Sequence, residues 1–360
     1  MLMYYWNDSL FYEVMNKEIL HLPMEHGDKD YYYSLRILLT KYYTEVKYLL
    51  NKKERKKLLK IIKLLLDIIL MYDFNDFAKM DSCFERVVEI LPKIGDDKIL
   101  KNFYSTHGDD PLKLYRSVPY YKGNTPAHKY GRKGIFHIRF SEKGKASSSR
   151  YSIEGEPCLY LGTNLATCIN EAGLEEGLIS RFRFDRLNSS NIVYVYDLAI
   201  KPQDFFDESK IEEIKDWTGR DISEKDEKKR YVFWYPLIAA CSFIRNQKDK
   251  NEGIYPYEYL IPQLFMRFLK NKKKKESYNT TINYGVRYFS CKSVEDSNVG
   301  YNYAFPTSEV ESGNSDFCIY LADIFLLTEP FPFLKNDIKE NHNPTINIKD
   351  KHMKKISGNQ

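Results

Sequence analysis

Apolar residues recur at helical spacing through the first quarter of the chain. In residues 52–72 the positions Leu58, Ile61, Ile62, Leu65, Ile68 and Ile69 fall on one face, and residues 31–50 carry the same period, so both stretches are predicted as helices. Residues 81–91 add a third, with Phe84, Val87, Val88 and Leu91 on one side. Helices with one apolar face each must bury it against one another, which predicts a small bundle. Pro92 cannot continue the third helix and Gly95 follows it, so the stretch LPKIGDD reads as a stop and a turn.

The pattern then changes. Residues 134–140 (GIFHIRF), 157–161 (PCLYL), 192–200 (IVYVYDLAI) and 283–290 are β-branched and aromatic with partial alternation, and are predicted as strands. Residues 164–173, 234–245 and 259–270 read as helices, the first with Thr163 as its N-cap. The predicted fold class is therefore α+β: a small N-terminal helical domain over residues 1–95 and a mixed domain over 110–333. Residues 334–360 are polar, rich in Lys and Asn, and expected to be poorly ordered.

Composition narrows the function classes. With 43% hydrophobic and 29% charged residues, the chain reads as a folded globular protein. Its 55 Lys and Arg against 50 Asp and Glu leave a net charge of +5, too mild and too mixed to demand a nucleic-acid partner. The basic runs at 52–57 and 270–275 read first as solvated faces. Six cysteines at 83, 158, 168, 241, 291 and 318 form no C-x-x-C pair, so no zinc or redox motif is readable, and reduced thiols fit a cytoplasmic protein. The N-terminus lacks a signal-peptide pattern, and no apolar run approaches the roughly 20 residues of a membrane helix.

Three segments place polar residues in strongly patterned surroundings. In LYRSVP, Arg116 interrupts an apolar, strand-like stretch and needs an anionic partner, for which an internal carboxylate is the ordinary choice. In RYSIEGEPCLYLGTNLATCINEAG, a charged lead-in with Arg150 and Tyr151 precedes a strand with Tyr160 and a helix carrying Glu171, which alone would be a surface glutamate. The third segment runs from YEYLIPQLFMRFL to GVRYFS and ends on Ser290, whose hydroxyl could donate to a phosphate or ribose oxygen or simply close a strand.

Taken together, in this order, the three segments resemble the RES family, named for an Arg, a Glu and a Ser; the resemblance covers roughly residues 110–330. It implies an ADP-ribosyltransferase-like fold and cleavage of NAD⁺ at the nicotinamide–ribose bond, by water or by phosphate. Many members of the family are toxins of bacterial toxin–antitoxin pairs, which implies an antitoxin or other regulatory protein as partner; a homo-oligomer is compatible with it. Under this resemblance Arg116 and Arg150 are bidentate partners for the pyrophosphate. Glu171 stabilises the oxocarbenium-like charge that develops at the ribose. Tyr160, with Tyr151 beside the arginine, offers an aromatic surface for the nicotinamide, and Ser290 fixes a ribose or phosphate oxygen. No cofactor or metal is called for, because NAD⁺ is the substrate. The chain departs from compact members in its helical N-terminal extension, in a long insert between Glu171 and Tyr257, and in Ser117, where short members often carry tyrosine.

Two other readings stand beside this one. N-terminal helical bundles also suggest ribonucleases of the HEPN superfamily, which use an Arg-x₄-His pair; Arg132 and His137 have that spacing, but in a glycine-containing, strand-like stretch rather than on a helix. The mixed domain could instead sense a nucleotide without chemistry, a reading that loss of the Glu171 carboxylate would have favoured.

Overall fold

The computed structural model describes residues 6–25, 30–92, 113–122, 125–126, 131–185, 192–207, 225–245, 255–276, 282–291, 300–309, 315–336 and 353–356. In chain order these form α1 (Asp8–Met15), α2 (Tyr31–Val46), α3 (Lys52–Asp73), α4 (Phe77–Ile90), β1 (Leu114–Val118), β2 (Tyr121–Lys122), β3 (Thr125–Pro126), α5 (Gly131–Ile135), β4 (Cys158–Gly162) and α6 (Leu165–Ala172). There follow β5 (Glu176–Phe184), β6 (Ile192–Asp197), α7 (Lys225–Ala240), α8 (Leu260–Glu276), β7 (Ile282–Phe289), β8 (Tyr301–Pro306), α9 (Ile319–Ile324), β9 (Phe325–Leu327) and β10 (Phe331–Leu334). The fold is α+β.

Two compact units share the chain, and their boundaries differ from those drawn on composition. Residues 1–102 group with 198–268 and 291–295, whereas the second unit holds residues 103–197, 269–290 and 296–360. Residues 198–268, assigned above to the mixed domain, are thus partners of the N-terminal helices. Their burial explains it: ten consecutive residues of α7, from Tyr231 to Ala240, are all buried, so this helix needs apolar faces on every side.

In the helical unit α3 is flanked by α2, α4 and α7. It starts on a reciprocal cap, in which the Asn51 side chain accepts from Glu54 N at 3.0 Å and Glu54 accepts from Asn51 N at 2.9 Å. Its predicted apolar face, from Leu58 to Ile69, is buried. The polar ends of buried tyrosines find main-chain acceptors: Tyr31 donates to Ala240 O, Tyr42 to Val232 O and Tyr235 to Leu20 O, at 2.7, 2.7 and 2.9 Å.

The α/β unit is built on one sheet ordered β10-β5-β1-β4-β8-β7-β6, with β9 also pairing β5. The β6–β7 pair is parallel and the other pairs are antiparallel. The insert between Glu171 and Tyr257 therefore contributes β5, the partner of β1, rather than a peripheral excursion. Residues 134–140 are not a strand. They end α5 and turn, and the consecutive burial of Phe136 and His137 is incompatible with a strand whose faces alternate. Helix α6 is capped by Asn164, which accepts from Thr167 N at 2.7 Å, and not by Thr163; it ends on Gly173 in the left-handed region at φ 66°. The C-terminal tail, expected to be poorly ordered, returns to the sheet over its described residues: Lys354 exchanges main-chain hydrogen bonds with Leu327, Lys355 pairs with Asp185 and Asp323, and Ile356 is buried.

Candidate functional site

Strands β1, β4, β8 and β7 and helix α6 converge on one region of the α/β unit. Helix α6 is tied to its neighbours at both ends. At its start, Thr163 Oγ1 accepts from Tyr301 N at 2.8 Å and Thr167 Oγ1 from Gly300 N at 2.7 Å. A Cβ on Gly300 would collide with the Thr163 and Asn164 side chains, so the approach needs a glycine there. Further along, the Cys168 carbonyl accepts from the Ser117 hydroxyl on β1 at 3.1 Å. One turn later Glu171 meets Asn302 of β8, whose Nδ2 donates to Glu171 Oε1 at 2.9 Å. A neutral donor of this kind orients a carboxylate without cancelling its charge.

Arg116 sits where β1 leaves β4. Five residues of β1 pair with β5, but only Tyr115 pairs with β4, opposite Gly162. Arg116 Nη1 reaches across to Tyr160 O at 3.1 Å, and its Nε is buried without a hydrogen bond. Burial lowers its pKa, against the opposing influence of Cys168, Cys158 and Tyr160. No carboxylate pairs with it among the described residues, so the internal ion pair expected for such an arginine is not formed there. Cys158 and Cys168 are buried with raised pKa values, that of Cys158 pushed up to about 12 chiefly by burial, so neither is a thiolate at neutral pH.

Tyr160 is occupied. Its hydroxyl lies 2.6 Å from Ser149 Oγ and 3.0 Å from Ser152 Oγ, and the two serines are 2.6 Å apart, a closed ring of three hydroxyls. Tyr151 is fully buried, its ring 4.5 Å from that of Tyr288. Tyr288 links the group: burial raises its pKa well above 10.0, and Glu171, Tyr160, Tyr151 and Cys158 add to the rise. The structure thus brings Tyr151, Tyr160 and Glu171 to the neighbourhood of Tyr288, with Arg116 alongside Tyr160. Ser290 lies just past the end of β7, two positions beyond Tyr288, and Arg150 lies in the turn between Ser149 and Ser152.

Tyr288 and Asn302 escaped the sequence reading although both carried a signal. Tyr288 has the same alternation phase as Ser290 in GVRYFS, and Asn302 interrupts the aromatic strand YNYAFP as Arg116 interrupts LYRSVP. The Arg132–His137 pair does not assemble. Arg132 is bound to Glu329 and to Leu327 O, while His137 accepts from Cys318 N at 2.9 Å and turns its other nitrogen to Ile138 O at 2.7 Å. Burial, with Arg116 as a further contributor, lowers the imidazole pKa to about 4, so the ring stays neutral and fully engaged.

No family model and no solved structure matches the chain. A protein of Bacillus subtilis (strain 168) named "Putative toxin YopC" is 26% identical over 327 residues, which cover 86% of this chain and 67% of that protein. Among the described residues, no helix is long and apolar enough to cross a membrane.

Proposed function

We propose that this chain cleaves NAD⁺ at the nicotinamide–ribose bond, as a glycohydrolase or phosphorylase of ADP-ribosyltransferase-like fold, and acts as a toxin that depletes the cytoplasmic NAD⁺ pool. The observation that carries the reading is Arg116: a guanidinium with one carbonyl partner, an unsatisfied buried Nε and no described carboxylate is set to receive an anion such as the pyrophosphate. On α6 of the same unit the Asn302-held carboxylate of Glu171 would stabilise positive charge as the bond to nicotinamide breaks. The electron pair leaves with the neutral nicotinamide, and water or phosphate adds to the ribose carbon. Tyr160, whose hydroxyl is held by Ser149 and Ser152, would offer its ring to the nicotinamide, and Tyr288, packed on Tyr151, would support the same region. Likeness to a protein named as a toxin supports the biological half of the reading and, with it, an antitoxin as partner.

The test is incubation of the purified chain with NAD⁺, with and without phosphate, followed by chromatography. Free nicotinamide with ADP-ribose, or with its phosphorylated form, is the expected outcome. Intact NAD⁺ in both arms, from protein shown to be folded, overturns the enzymatic reading; NAD⁺ bound but not consumed would assign the site to sensing.

A further inference from the structure

The hydroxyls of Tyr31, Tyr42 and Tyr235 end on main-chain carbonyls, and that of Tyr160 on two serines. Tyr288 has neither kind of partner. Its side chain is only 9% exposed, and its hydroxyl makes no hydrogen bond among the described residues. A polar group taken out of water without a protein partner is rare in folded proteins and marks a place for a ligand or an ordered water. Sheet register sets where this one lies. On β8, Asn302 pairs with Gly162 of β4 on one side and with Tyr288 of β7 on the other. Cross-strand partners share a face, and this face is the one that α6 covers. A Cβ on Gly162 would lie 3.3 Å from Cys168 N of α6, and Asn302 Nδ2 donates to Glu171 Oε1 at 2.9 Å. Tyr288 therefore rises next to Asn302 on the side of the sheet that carries Glu171, with the Tyr151 ring packed against it at 4.5 Å. Burial first, and then the Glu171 carboxylate, raise its pKa well above 10.0, so it is a neutral phenol at physiological pH.

We infer that the Tyr288 hydroxyl is a substrate contact, donating to one hydroxyl of the ribose that carries nicotinamide while Glu171 accepts from the neighbouring hydroxyl. The inference rests on the NAD⁺ reading above and names the part of the substrate that these side chains recognise. An ionised carboxylate can only accept, whereas a phenol donates as well as accepts, so the two together match adjacent hydroxyls of a sugar. A phosphate placed there would meet the carboxylate as a like charge. The ribose on the adenine side has the same diol, but a pyrophosphate separates it from the bond that Glu171 serves. A site built to hydrogen-bond a substrate hydroxyl rejects the analogue that lacks it, because the protein group is then left unpaired. Tyr288 thus determines specificity at the reacting sugar, for ribose over deoxyribose.

Steady-state kinetics of wild type and Tyr288→Phe test this, on NAD⁺ and on two analogues lacking the 2′- or the 3′-hydroxyl of the nicotinamide ribose. On NAD⁺ the variant should lose about threefold to tenfold in kcat/KM, the size of one neutral hydrogen bond. On one of the two analogues that loss should vanish, since the partner hydroxyl is already missing. Without ligand the variant should melt at the wild-type temperature, because the hydroxyl it lacks has no partner among the described residues. Unchanged turnover of NAD⁺, or an equal loss on all three substrates, overturns the inference and leaves the NAD⁺ reading standing. A variant that melts well below wild type overturns it too, by showing that the hydroxyl serves the fold. Wild-type protein that leaves NAD⁺ intact defeats the reading itself and the inference with it, before any variant is compared.

Discussion

The two units bury the same residue types in different ways. In the helical unit the hydroxyls of Tyr31, Tyr42 and Tyr235 end on main-chain carbonyls, and the buried Lys228 is paired with Asp8 at 2.7 Å. In the α/β unit the Tyr160 hydroxyl ends on two serine side chains, and Arg116 ends on a single carbonyl with no carboxylate among the described residues. A carbonyl in a helix or turn is fixed by the backbone, whereas a side-chain hydroxyl can turn and take a new partner. The α/β unit does not lack the means to neutralise an arginine, because Arg287 is paired with Asp197 at 3.0 Å and lies over the Tyr301 ring, both side chains nearly fully buried. What distinguishes Arg116 is that no carboxylate pairs with it among the described residues.

The largest effect should come from breaking the Arg287–Asp197 ion pair. Asp197→Ala strands Arg287 in the interior and should cost about 3–5 kcal/mol of unfolding free energy in urea titrations. Arg116→Met should be close to neutral in the same measurement, since it removes a cation that has no counter-ion to lose. A loss as large as that of Asp197→Ala would make Arg116 a structural arginine and erase the contrast.

Glu171→Gln sharpens the same contrast through activity. The amide keeps the shape of the side chain but removes the charge, so NAD⁺ consumption should fall about a hundredfold, roughly 3 kcal/mol of transition-state stabilisation, with the melting temperature unchanged. A folded variant with unaltered turnover would show that Glu171 only anchors α6 to β8.

His137 supplies a pH test inside the α/β unit. Its folded pKa, about 4, lies below the ordinary 6.5, so the unfolded chain binds the extra proton between these values. Stability from this group is fully present above about pH 6.5 and is lost as pH falls towards 4, a total of roughly 3 kcal/mol. His137→Gln should flatten that part of the stability–pH curve. An unchanged slope would mean that the acid sensitivity resides in other groups.

Helices with strong period were legible in the sequence, as α3 shows, because local pattern and tertiary burial agree there. Strand β5 was not: Ser180 and Arg181 sit in its middle, and they are tolerable only because Thr328, far along the chain, accepts from Arg181 N and presents its carbonyl to Ser180. The turn at Phe136 and His137 was misread as a strand for the converse reason, its aromatic content being used to pack across the sheet, where Phe136 stacks on Phe182 at 6.2 Å. The candidate site was legible where a polar residue broke an apolar strand, as at Arg116. It was opaque where the decisive fact was a partner, such as the serines that occupy Tyr160 or the amide that holds Glu171.

The smallest effect separates the two modes of tyrosine burial. Tyr235→Phe leaves the buried Leu20 carbonyl without its donor and should cost about 1–3 kcal/mol. Tyr160→Phe removes one member of a ring whose other two, Ser149 and Ser152, still bond each other at 2.6 Å, so no donor is stranded and the loss should stay at or below about 1 kcal/mol. Parallel urea titrations of the two variants decide between them. Equal losses would mean that the serine hydroxyls are as fixed as a main-chain carbonyl, and the α/β unit would then have no more freedom to re-pair its polar groups around a ligand than the helical unit has.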